Sequence, residues 1–290
     1  MKFIKYIIVF LIVLLLSLFF MRSTKRELAQ TIQEFKAGIE ANDVTIKGWD
    51  NKISRWDMFA KKALMSNQDY MELAVVNNGH IYNNSGFAVV TGIKTTKAKI
   101  AFPHQRIELA AVTATLQEGG EYEICADNLL YTNNQAYLQG KVLLRGNQEN
   151  ITAKSALISI VPVVAGSFTQ ATLNYKQYLI QTEMLQFSNN IFVFPRKVVI
   201  SDADIHIMAD IATYNKKLDM LTLEGAINIK TKANITAQAE KAQLKGETLN
   251  LWGNVYMEQN GRSLKCDKTS INIKSNNMEA QGKITTKINI

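Results

Sequence analysis

The sequence predicts an all-β fold, an antiparallel array of short strands that curls on itself. Three observations predict it. An opening phrase of Ile or Leu, any residue and then a small residue recurs at Ile124-Cys-Ala126, Ile151-Thr-Ala153, Ile180-Gln-Thr182, Ile207-Met-Ala209, Ile235-Thr-Ala237 and Leu264-Lys-Cys266, spaced by 27, 29, 27, 28 and 29 residues. A return phrase keeps step with it at Leu138-Gln-Gly140-Lys-Val142, Phe194-Pro-Arg196-Lys-Val198, Leu223-Glu-Gly225-Ala-Ile227 and Leu251-Trp-Gly253-Asn-Val255, with a worn copy at Ala280-Gln-Gly282-Lys-Ile284. Within each phrase apolar and polar residues alternate, which is the period of a half-buried strand. A fixed period near 28 residues marks units that cannot bury an apolar face alone and must stack.

The unit is clearest from Ile207 to Ile229. One strand leaves Ile207, a polar turn follows at Asn215-Lys-Lys217, and a second strand returns through Leu223 to Ile229. Residues two apart share a face, so Val142 and Leu144, Val198 and Ile200, Ile227 and Ile229, and Val255 and Met257 line one side. Gln139, Lys141, Glu224, Trp252 and Tyr256 stand on the other. The apolar side must be hidden by curling or by packing. It fits both a solid core and a long apolar trough, in which each buried methylene of a guest gains about 0.8 kcal/mol. The repeated Gly and Ala suit places where the sheet bends.

Ahead of the array, residues 3–21 form an apolar run interrupted only by Lys5 and followed by Arg22, Lys25 and Arg26. There is no small-x-small cleavage site, so residues 1–22 are expected to be an uncleaved single-span anchor. Residues 23–43 are expected to form a juxtamembrane amphipathic helix, with Leu28, Ile32, Phe35 and Ile39 at helical spacing and an end at Asn42-Asp43. It could pack on the β domain, lie on the membrane or continue the anchor. The short tail before the run favours an N-terminus inside and an exported β region.

Residues 44–290 read as one continuous array. Asn77-Asn-Gly79 and Asn83-Asn-Ser-Gly86 carry turn chemistry, and Trp49 and Trp56 are expected to close the first end. A soft joint is expected near Val161-Pro-Val-Val-Ala-Gly166. The last strand, Gly282 to Ile290, alternates Ile284, Ile288 and Ile290 against Lys283, Lys287 and Asn289. It reads either as a solvated edge or as a template for strand addition by another β protein.

The net charge of +8 is spread singly over outward positions, unlike a nucleic-acid footprint, and suits a solvated face or a neighbouring anionic surface. Cys125 and Cys266 lie five units apart, too far to bridge in a stacked array. Asp202, Asp204 and His206 share one strand face but fall where a polar hairpin tip is expected, so no metal site is assigned. Asn150-Ile-Thr152 and Asn234-Ile-Thr236 match the glycosylation pattern, and a turn Asn before a strand explains both. No P-loop, GxSxG, HExxH or paired CxxC occurs, and neither an enzyme nor a cofactor is expected.

An anchor, a juxtamembrane helix and repeats reading Ile-x-Ala-Asp, Tyr, then Leu-x-Gly-x-Val resemble the LptC/LptA (OstA-like) proteins of lipopolysaccharide transport. The stretches Glu123 to Tyr131 with Leu138 to Val142, and Ile207 to Ile229, carry the resemblance, which covers roughly residues 50–290. The anchor favours an LptC-like member, although the chain looks longer than one and its final units are similar to the soluble member's repeats. The resemblance implies a curled antiparallel jelly roll in the periplasm that takes lipid A acyl chains from an inner-membrane ABC transporter. It implies that Val142, Leu144, Val198, Ile200, Ile227, Ile229, Val255 and Met257 line the lipid path, and that a soluble LptA-like protein docks at the C-terminal edge. The rival expectation is a membrane-anchored structural β-solenoid with a solid core. A polysaccharide-binding module would need more outward aromatics than Trp252 and Tyr256.

Overall fold

The computed structural model describes residues 38–50, 53–65, 68–102, 106–117, 121–160, 164–275 and 277–288. They form one antiparallel sheet of twenty strands, and no helix occurs among the described residues. In chain order the strands are β1 (Ile39–Asp50), β2 (Ile53–Met65), β3 (Tyr70–Tyr82), β4 (Ala88–Ala101), β5 (Arg106–Leu116), β6 (Tyr122–Thr132), β7 (Gln135–Arg145), β8 (Glu149–Ser159), β9 (Ala165–Tyr175) and β10 (Tyr178–Ser188). They continue as β11 (Ile191–Phe194), β12 (Val198–Ser201), β13 (Ile205–Ala209), β14 (Ile211–Asn215), β15 (Met220–Thr231), β16 (Thr236–Lys245), β17 (Thr248–Gln259), β18 (Arg262–Asn272), β19 (Met278–Gln281) and β20 (Thr285–Ile288). Each strand pairs with its neighbours in the chain. β11 with β12, β13 with β14, and β19 with β20 are halves of single broken strands that pair with the same neighbours.

Strands bend at mid-length, and the bends line up across the sheet. Val75, Ala111, Gly140, Lys141, Gln170, Gly225, Gly253, Asn254 and Gly282 hold φ between +43 and +94 at this level. Pro195 and Asp210 break their strands there, Pro195 because it has no N–H to give the ladder. The two phrases of the sequence meet at these bends. Asp210, just after Ile207-Met-Ala209, turns its carboxylate onto the bend at Gly225 and accepts a hydrogen bond from Ala226 N at 2.8 Å. Asp267 does the same beside Gly282, accepting from Lys283 N at 3.0 Å. Asp127 faces Gly140 and Glu240 faces Gly253, so a side chain on any of these glycines would strike a carboxylate. The glycine is therefore required twice, by its φ and by its acidic neighbour.

The hairpin turns fall on two rims. One rim carries turns 146–148, 176–177, 202–204 and 232–235, and the other carries 133–134, 189–190, 216–219 and 246–247. In a flat sheet β6 and β10 would lie roughly 19 Å apart at the usual strand spacing. Instead the ring of Tyr122 on the first rim is 6.3 Å from that of Phe187 on the second. Tyr175 and Tyr214 approach to 4.8 Å in the same way. The sheet thus folds over along its line of bends and brings the rims together, offset by three or four strands. The apolar face lies inside this fold as one continuous buried cluster.

Several expectations need correction. The anchor 1–22 and most of the helix expected over 23–43 lie outside the described residues, but Ile39 to Asp43 are strand, not helix. Pairing with β2 outweighs the helical spacing of Ile39. Asn77-Asn-Gly79 lies inside β3, not in a turn: Gly79 is buried because Ile93 and Met58 press on it. Asn83 does turn the chain, accepting from Ser85 N and Phe87 N. Trp56 is buried at 3% exposure beneath Gly48, whereas Trp49 is 55% exposed, so one tryptophan and not two enters the core. Of the soft joint expected near 161–166, residues 161–163 lie outside the described residues, and β8 and β9 pair on either side of them up to Ser159 and Ala165. The expected continuous strand from Gly282 is broken at Gly282–Ile284.

Candidate functional site

All eight residues expected to line a lipid path point inward, at 0 to 3% exposure. The register sorts them into two rows. Leu144, Ile200, Ile229 and Met257 belong to a lane that crosses the sheet at right angles to the strands. It runs Ala114, Ile124, Leu144, Ile151, Leu173, Ile180, Ile200, Ile207, Ile229, Ala237, Met257, Leu264, each residue paired with the next. Twelve successive strands give the lane about 50 Å without a polar side chain. Val142, Val198, Ile227 and Val255 form a second row nearer the bend, beside Ala153, Ala209, Ala239 and Cys266.

The facing half of the sheet carries its own lane, Ile158, Gly166, Phe187, Phe192, Tyr214, Leu221, Leu244, Leu249 and Ile271. It is richer in aromatics, and Phe168, Phe192 and Phe194 are among the largest fully buried side chains. No phrase in the sequence marks this lane, because its opposition to the first arises only when the sheet folds over.

The seam between the rims has no backbone pairing among the described residues, because every ladder joins strands adjacent in the meander. Side chains close it. Lys216 from the turn after β14 reaches across to Glu149 at the start of β8 and donates to Tyr122 Oη at 2.9 Å. Glu149, at 4% exposure, is buried and also accepts from Tyr122 Oη. Burial opposes the charge on Lys216, yet its bonds to Glu149 and Tyr122 win and raise its pKa. Burial, then the bond to Glu149, pushes the Tyr122 phenol up. One strand pair further on, Lys176 Nζ meets Asp219 Oδ2 at 2.8 Å, and Tyr214 Oη donates to Asp219 Oδ1 at 2.8 Å. The bond from Lys176 holds the Asp219 carboxyl below the usual range and lifts Lys176 in return. Near the first end, Tyr131 on the second rim is pushed up to about 12 by burial, against the charge of Arg55 from the first rim.

Among the described residues, two cavities open along this seam. One, of about 250 Å³, has an apolar floor of Ile180, Ile200, Leu221, Leu244 and Ile273 and a polar mouth that includes Lys176, Asp202 and Glu247. The other, of about 230 Å³, lies between Val164, Phe187, Phe192 and Lys216. Of the eight expected lining residues, Ile200 borders the first cavity and the remaining seven border neither.

The remaining candidates are scattered. Ile284 sits in the break between β19 and β20 at 52% exposure, Ile288 ends β20, and Ile290 lies outside the described residues. The expected shared row of the three is therefore not formed at Ile284. Asp202 makes the tip of the β12–β13 hairpin, its Oδ1 accepting from Asp204 N and Ile205 N, as the turn reading requires. His206 is on β13, and no cluster of three metal-ligating side chains occurs among the described residues. Cys266 is buried and Cys125 half-buried, both free, with burial raising each thiol. Unmarked in the sequence is Asp57, which holds His80 Nδ1 and Tyr82 Oη at 2.7 Å each on the outer side of β2 and β3. No protein-family model matches the chain, and no curated protein matches it.

Proposed function

We propose that this chain is a non-enzymatic, inner-membrane-anchored component of lipopolysaccharide transport. Its β region is an LptC-like jelly roll in the periplasm, built from units of about 28 residues. It receives lipid A acyl chains from an ABC transporter and hands them to a soluble LptA-like jelly roll docked at its C-terminal edge. The observation that carries this reading is an apolar lane along the fold's axis, beneath a seam that side chains close and no ladder crosses among the described residues. Rims without shared backbone hydrogen bonds part without breaking a ladder, and acyl chains then slide along aliphatic groups shielded from water. Each methylene kept dry is worth about 0.8 kcal/mol, so direction comes from the transporter and not from this protein.

A photo-crosslinking residue at Ile200, Ile229 or Met257 is expected to capture lipopolysaccharide in cells, while the same residue at outward Asn174 captures none. A second reading, a solid-core membrane-anchored scaffold, is favoured by the near-complete burial of the eight lining residues. It requires no adduct at any inward position in a protein that still folds.

A further inference from the structure

We propose that the turn 216–219 is the gate of the interior, a clasp whose two charge pairs hold the rims shut and whose release opens the apolar lanes. The identity of the guest rests on the function proposed above; the clasp itself rests on geometry. This one turn carries a cation and an anion three residues apart, and each crosses the seam to an opposite charge, one at the start of β8 and the other on the turn after β9. Lys216 goes to Glu149 and Tyr122, and Asp219 goes to Lys176. The polarity fixes the alignment of the rims. Sliding the turn by one hairpin would set Lys216 toward Lys176, or Asp219 toward Glu149, and like charges would repel.

The turn is built to present these groups. Asn215 Oδ1 accepts from Lys217 N at 3.0 Å and from Leu218 N at 3.2 Å, while Lys216 N is tied to Asn190 O. Behind the clasp lie both seam cavities, one bordered by Lys216, Phe187 and Phe192, the other by Lys176, Asp219 and Ile200. Glu149 is the only carboxylate among the buried polar residues described. A buried charge stripped of its partner is strongly penalised, so the clasp is either made or fully released into water. Aliphatic groups in the same place would close the seam as well, but could not be released by charge or salt.

The test uses the full chain with Cys125 and Cys266 replaced by Ala and spin labels on Asn147→Cys and Lys217→Cys, exposed positions on opposite rims. Unmodified at the clasp, the protein is expected to give one narrow distance distribution. Glu149→Gln and Lys216→Glu should each add a longer population, and the swap Glu149→Lys with Lys216→Glu should restore the narrow one. A distribution unchanged in Glu149→Gln, or a swap that fails to restore it, overturns the clasp. Should Glu149→Gln fail to fold, Asp219→Asn and Lys176→Met at the more exposed pair carry the same expectation and the same refutation. Photo-capture at Ile200 in these variants separates the two claims. If the rims part but nothing is captured, the gate stands and the lipid reading falls.

Discussion

At the scale of single residues, the glycines of the return phrase do work that composition hides. Gly225 has φ of +94, and a Cβ there would collide with the Asp210 carboxylate that caps Ala226 N. Gly246 also has positive φ, +56, but nothing lies within 4 Å of its missing Cβ. Gly246→Ala should cost about 1 kcal/mol for the left-handed backbone alone. Gly225→Ala adds the lost cap and is expected to cost about 2–4 kcal/mol. Urea denaturation of the two variants measures the difference, and equal costs would mean that the carboxylate contributes nothing. The same pairing was only half legible in the sequence. Gly225 and Asp210 recur in register, so their positions can be read, but their contact depends on the extra residue in β15 that sets Asn228, not Ile227, opposite Met208 while Glu224 stays opposite Ile211.

At the scale of elements, strands and their phase were legible wherever local alternation decides the outcome. Ile207 to Ile229 forms the strands and turn its pattern requires. Where long-range pairing decides, local signals mislead: Asn77-Asn-Gly79 resembles a turn, and Ile39 continues a helical spacing, yet both lie in strands. The turn 216–219 was recognisable as polar, but its partners stand on hairpins 40 or more residues earlier in the chain. That element should give stability a characteristic pH profile. Asp219 is depressed below its ordinary value of 3.8, so its contribution is present above that value and lost as pH falls through the lower folded value. Lys176 is raised above 10.5, so its contribution is complete below 10.5 and lost as pH rises through the higher folded value. Raised Tyr122 and Lys216 lose their contributions on the same alkaline side. The stability difference between the unmodified protein and Asp219→Asn should therefore be flat from about pH 5 to 9 and shrink toward either extreme. A difference that persists undiminished at pH 2 would exclude the ion pair as its source.

At the scale of the whole molecule, two kinds of connection hold the array together, and they are unevenly distributed. Ladders join every strand to the next, each broken strand counting as one, as in any stacked repeat, so local opening can propagate from an end. Among the described residues, links across the seam are denser in the middle: Tyr122 with Phe187, Glu149 with Lys216, Tyr175 with Tyr214, and Lys176 with Asp219 tie β6, β8, β9 and the turn after β9 to β10, β14 and the turn after β14. The C-terminal strands have a different environment. β19 and β20 are short, pair only with β18 among the described residues, and are mostly exposed. Backbone amides are protected in proportion to the free energy of the opening that exposes them. Hydrogen exchange should accordingly be slowest in β8 to β10 and in β15, faster in β17 and β18, and fastest in β19 and β20. Releasing the clasp with Glu149→Gln should speed exchange in the middle strands while leaving β19 and β20 unchanged, because their ladders do not depend on the seam. Uniform exchange along the array would mean that the sheet opens as one cooperative unit. In that case parting the rims would require global unfolding, and a gate between them could not operate in the native protein.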